Sequence, residues 1–323
     1  MNVLVIYGRD LEKGSTKYRV AQYAEYMEAH GVHYDFHTRR EINRQFIEKI
    51  PDYDVVINQR CLIKTSIARK IIKCSRKLIF DFDDAIYTCP GKPHSWITSI
   101  RVKHRMKLWI QGADRVTTPN HFLAKYALQY SNAVTVIPNV VDMQKWTPVD
   151  KPATEKIILG WAGAPVNVSN IEELEPVFTE LLNKHPSLEL AFFSGKKPKL
   201  SCIFNYYPFE PGKELEFVQK LDIGILPVVD EEFSRGKSSI KGIQYLACGI
   251  PVVANIFGAT AEILNDETSI SVKTHQQWLQ ALEDLISDPE RRRKMGLAGR
   301  KFAEQKHDIN VTTRQWLEIL QQS

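Results

Sequence analysis

The chain has 323 residues, 43% hydrophobic and 25% charged, with a net charge of +5. That is too long for one ordinary core and too apolar for a disordered chain, so two globular domains of about 150 residues each are expected. The five cysteines are odd in number, scattered and without a CxxC spacing, which speaks against a disulfide framework or a zinc site.

The opening MNVLVIYG runs straight into a strand pattern with no basic segment or cleavage site, so no secretory signal is expected. In the first half, apolar runs predict strands at 3–7, 54–58, 77–82, 115–119 and 133–138, and helical spacing marks 18–30 and 67–77. The stretch IRVKHRMKL alternates like a strand. Val102, Met106, Trp109, Ile110 and Ala113 extend a helical face beyond it, so a helix is expected. A break with two prolines falls at 141–156. The pattern restarts with strands at 156–163, 188–195, 222–228 and 249–255, and helices at 170–185, 275–286 and 289–304. The uncharged stretch 246–261 is interrupted by Gly249, Pro251, Asn255 and Gly258, so it reads as a buried strand with turns rather than a membrane span.

Strands alternating with helices imply parallel sheets, and both halves open with a strand, a glycine-containing turn and a helix. The expected fold is α/β, with two Rossmann-like domains facing across a cleft at 1–150 and 151–305. A last helix in 306–323 is expected to pack back on the first domain.

Between Arg60 and Lys77 stand Arg60, Lys64, Arg69, Lys70, Lys73, Arg76 and Lys77 with no acid, and Arg101, Lys103, Arg105 and Lys107 form a second cluster. Solvated helix faces are the plain explanation; an anionic membrane surface or a phosphate-bearing acceptor is the functional one. No nucleic-acid module surrounds these charges, and nucleic acid is not an expected partner. The expected location is the cytoplasm, with the inner face of the membrane open.

Two stretches carry chemistry. KLIFDFDDAIY at 77–87 ends an apolar strand in Asp81, Asp83 and Asp84. Such acids can start a haloacid-dehalogenase-like phosphatase site, hold a metal against a diphosphate, or face an acceptor hydroxyl without a metal. The phosphatase reading lacks a late acidic pair, and the metal reading leaves the basic second-half loop unexplained. Asp81 and Asp83 are expected on one face of the strand, with Asp81 in a cap or an ion pair. The other stretch, at 228–255, runs strand, loop, helix, strand, and its loop gathers Arg235, Gly236, Lys237, Ser238 and Ser239, with Lys241 one turn into the helix. Glycine permits close backbone approach, and a helix N-terminus with added cations suits a diphosphate. The spacing is not that of a P-loop.

With its continuation Gln244-Tyr-Leu-Ala-Cys-Gly249-Ile-Pro251-Val-Val253, then Gly258 and Glu262, this stretch resembles the retaining GT-B glycosyltransferases, in particular family 4. Segments 14–31, 80–87, 112–127, 136–142 and 160–178, and the strand LDIGILPVVD, are similar to theirs in the same order. The resemblance implies sugar transfer with retention from a nucleotide diphosphate sugar to a hydroxyl of a glycan, lipid-linked or small-molecule acceptor, in glycan or glycoconjugate biosynthesis. No metal or other cofactor would be required. Arg235, Lys237, Ser238 and Lys241 would hold the diphosphate. Gly163, Asn167, Ser194, Gly195, Gln244 and Glu262 would complete the donor site. Asp83 and Asp84 would orient or deprotonate the acceptor, and Gly14, Ser15, Thr16 and Arg19 would line its side. Gly236 and Gln244 replace two glutamates frequent in relatives, which keeps open a non-catalytic protein that binds a nucleotide sugar or a partner.

Overall fold

The computed structural model describes residues 1–12, 14–91, 94–151 and 156–322. The chain divides into two compact units, one of Met1–Val140, Glu231–Ser238 and Ile309–Ser323, the other of Val141–Asp230 and Ser239–Asp308. The division at Val140 falls just before the proline-containing break, whose residues 152–155 lie outside the described residues.

The first unit holds β1 (Asn2–Tyr7), β2 (His33–Thr38), β3 (Val55–Gln59), β4 (Leu78–Asp81), β5 (Arg115–Thr118) and β6 (Val134–Val136) in the order β2-β1-β3-β4-β5-β6, all parallel. Both faces are covered. Leu4, Ile6, Val56 and Phe80 join one core with Ala68, Ile71, Met106, Trp109 and Leu123. The alternate residues Val3, Val5, Val55, Ile57 and Ile79 join another with Tyr23, Met27, Trp316 and Ile319. The two-residue period of the strands thus splits one run of apolar residues between two helical layers. The last helix, Ile309–Gln321, supplies Trp316 and Ile319 to this unit.

The second unit holds β7 (Ile157–Gly163), β8 (Leu188–Ser194), β9 (Asn205–Pro208), β10 (Ile223–Leu226), β11 (Val252–Ala254) and β12 (Ser269–Ser271) in the order β12-β11-β10-β7-β8-β9. Counted within the unit this is the doubly wound Rossmann order, which reverses between β7 and β10.

Several expected boundaries shift. The helix foreseen at 170–185 is two, Val168–Glu172 and Glu175–Lys184, because Pro176 starts the second and cannot continue the first. The helix foreseen at 18–30 is Gly14–Arg19, a 3-10 turn at Ala21–Tyr23 and Ala24–Glu28. IRVKHRMKL lies in one helix, Trp96–Gly112, capped by Ser95, whose hydroxyl accepts from the Thr98 N–H.

Candidate active site

In the first unit the strand order reverses beside β1 and β3, where ligands of open α/β sheets gather at the carboxyl ends. β3 ends at Gln59, and Arg60 follows with φ +51°, the positive-φ non-glycine among the described residues. An arginine held in the left-handed region costs on the order of 1–3 kcal/mol unless its surroundings fix it. They do: Arg60 N–H donates to the Asp81 carbonyl at 2.7 Å, while Nη1 reaches Asp83 Oδ1 at 3.1 Å, Asp84 Oδ2 at 2.7 Å and the Ser15 hydroxyl. One guanidinium therefore clamps both carboxylates and the first-helix serine.

Asp83 is buried and Asp84 half-buried. Burial and the Asp83 charge push the Asp84 carboxyl up, against the pull of Arg60 and Lys237. A carboxylate so raised takes a proton more readily than an ordinary aspartate, which suits a general base. The Lys237 charge thus acts on Asp84 within this unit. Thr16 donates to Gln59 Oε1 at 3.3 Å, and the Gln59 amide nitrogen is buried with no hydrogen-bond partner. Gly14 is exposed at the start of its helix.

Asp81 parts company with its neighbours. β4 ends there, so the strand alternation expected to put Asp81 and Asp83 on one face stops before Asp83, and the two acids have different hydrogen-bond partners. Asp81, fully buried, accepts from Arg19 Nη2 at 2.5 Å and Nε at 3.2 Å and from the Thr117 hydroxyl at 2.8 Å. Burial pushes Asp81 up, and Arg19 and Thr117 oppose it. Arg19 Nη1 also donates to the Ile137 carbonyl at 2.5 Å and to Asn139 Oδ1 at 3.3 Å. Arg19 was expected beside an acceptor. With 1% of its surface exposed and its donors engaged, it is instead the internal partner of Asp81.

The expected phosphate loop is part helix, Glu232–Arg235, and residues 231–238 belong to the first unit. Asn120, which caps helix His121–Ala127 by accepting from the Leu123 N–H, donates through Nδ2 to the Gly236 carbonyl at 3.0 Å and the Ser238 hydroxyl at 2.7 Å. Arg235 is exposed.

In the second unit Gly163 ends β7 in register with Ser194 of β8. A Cβ on Gly163 would fall 2.0 Å from the Trp161 ring. Ser194 is buried, its carbonyl accepting from Tyr206 Oη at 2.8 Å, and the next residue, Gly195, lies against Pro165. Asn167 is half-buried in the turn after β7, and Asn170 Nδ2 ties the following helix to the Pro227 carbonyl beyond β10 at 3.0 Å. Helix Ile240–Ala247 is capped by Ser239. Glu214 pairs with Lys241 and accepts from Gln244 Nε2 at 3.0 Å, so two expected donor residues meet on one carboxylate. Glu262 is exposed in the turn Gly258–Glu262.

Asn120 and Glu214 were not singled out from sequence, and Arg60 only as the first residue of the basic run that ends at Lys77. The available signal for Arg60 was its place directly after the buried run VVINQ; Asn120 and Glu214 carry no local one. Among the described residues, no group of three or more His, Cys, Asp or Glu is arranged to hold a metal ion.

These two sheets align over nearly the whole chain with proteins of known structure. Sucrose-phosphate synthase from Thermosynechococcus elongatus superposes with a TM-score of 0.78 at 16% identity, covering 98% of each chain. HepE from Anabaena, solved with UDP-glucose, gives 0.73 at 14% identity, covering 99% of each. The fold is GT-B. Within it, residues 209–318 match a family described as Glycosyl transferase-like. D-inositol 3-phosphate glycosyltransferase from Segniliparus rotundus is 26% identical over 219 residues, 58% of this chain. The match spans 47% of that relative, about half its length.

Gly236 and Gln244, where the resemblance would place glutamates, each have close neighbours. A Cβ on Gly236 would come within 2.8 Å of Leu123 and 3.2 Å of Ala85. A glutamate at 244 would set its carboxylate against Glu214 in place of the amide that donates to it. Gly236→Glu and Gln244→Glu are therefore expected to cost about 1–3 kcal/mol of stability each, through overpacking or like charge, and so to lower the melting temperature. Thermal denaturation of the two variants checks this, and an unchanged or raised melting temperature would refute it.

Proposed function

We propose that the chain is a retaining glycosyltransferase of the family 4 kind. It moves a hexose or similar sugar from a nucleotide diphosphate sugar to an acceptor hydroxyl, in glycan or glycoconjugate biosynthesis and without a required metal. The observation that carries this reading is the match over 209–318 to a glycosyl transferase-like family, which falls on the Rossmann-ordered sheet and includes Ile240–Ala247.

In this reading the second unit holds the donor through the ends of β7 and β8, at Gly163, Asn167, Ser194 and Gly195, with Lys241, Gln244 and Glu262. Arg235 and Lys237 offset the negative charge as it builds on the diphosphate, and the Ser238 hydroxyl donates to it. Ser15, Thr16, Asp83 and Asp84 take the acceptor, and Arg60 fixes the acids. With departure and attack on one face of the sugar, the mechanism calls for orienting groups rather than a covalent nucleophile. HepE was solved with UDP-glucose, which favours a uridine diphosphate donor.

A thermal-shift panel of UDP-, GDP-, ADP- and TDP-sugars, each with and without EDTA, tests this. A ligand at about 100 times its dissociation constant adds about 2.7 kcal/mol, a rise of several degrees. The expected result is a rise with UDP-sugars that survives EDTA. A rise that needs metal would overturn the metal-free diphosphate site, and none from any nucleotide would overturn the donor assignment.

A further inference from the structure

We propose that the first unit carries a docking surface for an anionic phospholipid bilayer. Its apolar tip is the first turn of helix Trp96–Gly112, and its charge lies on that helix and its neighbour Thr65–Cys74. This does not rest on the transferase reading.

Trp96 is 74% exposed, Ile97 52% and Ile100 61%; three of the eleven large exposed apolar side chains among the described residues thus fall within five positions. Residues 96 and 100 are four apart and 97 and 100 three apart, so they form one patch on the helix surface. The other end of the helix is fixed, because Met106, Trp109 and Ile110 are buried in the first-unit core. A helix anchored at its far end and apolar where it meets solvent presents its tip rigidly. Apolar side chains scattered singly need no explanation; a contiguous cluster marks an interaction surface.

Charge selects the occupant. The sequence has no acid from Arg60 to Lys77 or from Ala85 to Ala113. Helices Thr65–Cys74 and Trp96–Gly112 pack against each other and expose Arg69, Lys70, Lys73, Arg101, Lys103 and Lys107. A tryptophan and isoleucines suit the boundary between headgroups and acyl chains, and surrounding cations suit anionic headgroups. Nucleic acid would use the charge and leave the apolar turn in water. A second copy of the chain would set like charge against like. No helix among the described residues is long and apolar enough to cross a membrane, so contact would be at the surface.

Co-sedimentation with phosphatidylcholine vesicles, with and without phosphatidylglycerol, tests the proposal. Binding is expected only with phosphatidylglycerol, and it weakens as salt shortens the screening length below about 10 Å. Lys70→Gln, Lys73→Gln and Lys103→Gln should each reduce it about five-fold. Trp96→Ser/Ile97→Ser/Ile100→Ser should reduce it at least about ten-fold at unchanged charge, with an unchanged melting temperature because these side chains are already exposed. Failure to bind, equal binding to neutral vesicles, or full binding by the triple variant would overturn the proposal. So would duplex oligonucleotide binding that the triple variant retains without any vesicle binding, or a dimer that this variant dissolves.

Discussion

Asp83→Asn is expected to lower kcat by about 10²–10⁴-fold, the range of a general acid–base group, while a nucleotide sugar still raises the melting temperature as in the parent. The expectation rests on the clamp in the first unit. Asp83 and Asp84 share one Arg60 nitrogen, at 3.1 and 2.7 Å, and Ser15 meets the same nitrogen. One guanidinium set between two close carboxylates offsets their repulsion and fixes their orientation. The asparagine is isosteric and cannot accept a proton, so it separates chemistry from position. Asp84→Asn should behave in the same way. Arg60→Lys should lower kcat as well, because an ammonium cannot reproduce the planar fork, and it relieves none of the positive-φ strain at that position. Steady-state kinetics with the donor found by thermal shift, beside the shift itself, make the distinction. Undiminished turnover in both aspartate variants would return the acids to a structural role.

The sheet centres were legible in the sequence, and so was one edge strand, β6, foreseen at 133–138; the other edges were not. The strands missed were HYDFHT, NYYP and SIS, and each lies at an edge of its sheet, as β2, β9 and β12. An edge strand is covered less, so its composition is polar or its length short, and the apolar run that betrays a central strand is absent. Candidate chemistry divides in a similar way. Asp83 and Asp84 stand out locally as acids after an apolar strand, but their clamp comes from Arg60, more than twenty positions earlier and beside them only because β3 pairs with β4. The basic run at 235–241 reads as one phosphate loop. The fold assigns its first part to the first unit through Asn120, which is 116 positions from Gly236. No local pattern encodes a partner that remote.

The same remoteness joins Arg19 to Asp81, 62 positions apart, and here the expected effect is on stability. Asp81→Ala leaves a guanidinium with 1% exposure and no carboxylate hydrogen-bonded to it, a situation that costs about 3–5 kcal/mol. For a unit of this size that is a fall of about 10 °C in the melting temperature. Arg19→Met should cost a similar amount, since it leaves Asp81 with only Thr117 to answer its charge. The double replacement Arg19→Met/Asp81→Leu removes both charges at nearly constant volume. It should recover much of the loss, because desolvating two ions offsets most of what their attraction contributes. The recovery would be incomplete, since the Ile137 carbonyl and Asn139 lose the Arg19 donor. Thermal denaturation of the three variants forms a double-mutant cycle whose coupling is the net worth of the pair. If the singles add without coupling, Arg19 and Asp81 do not act as a unit, and the burial of this ion pair has another cause.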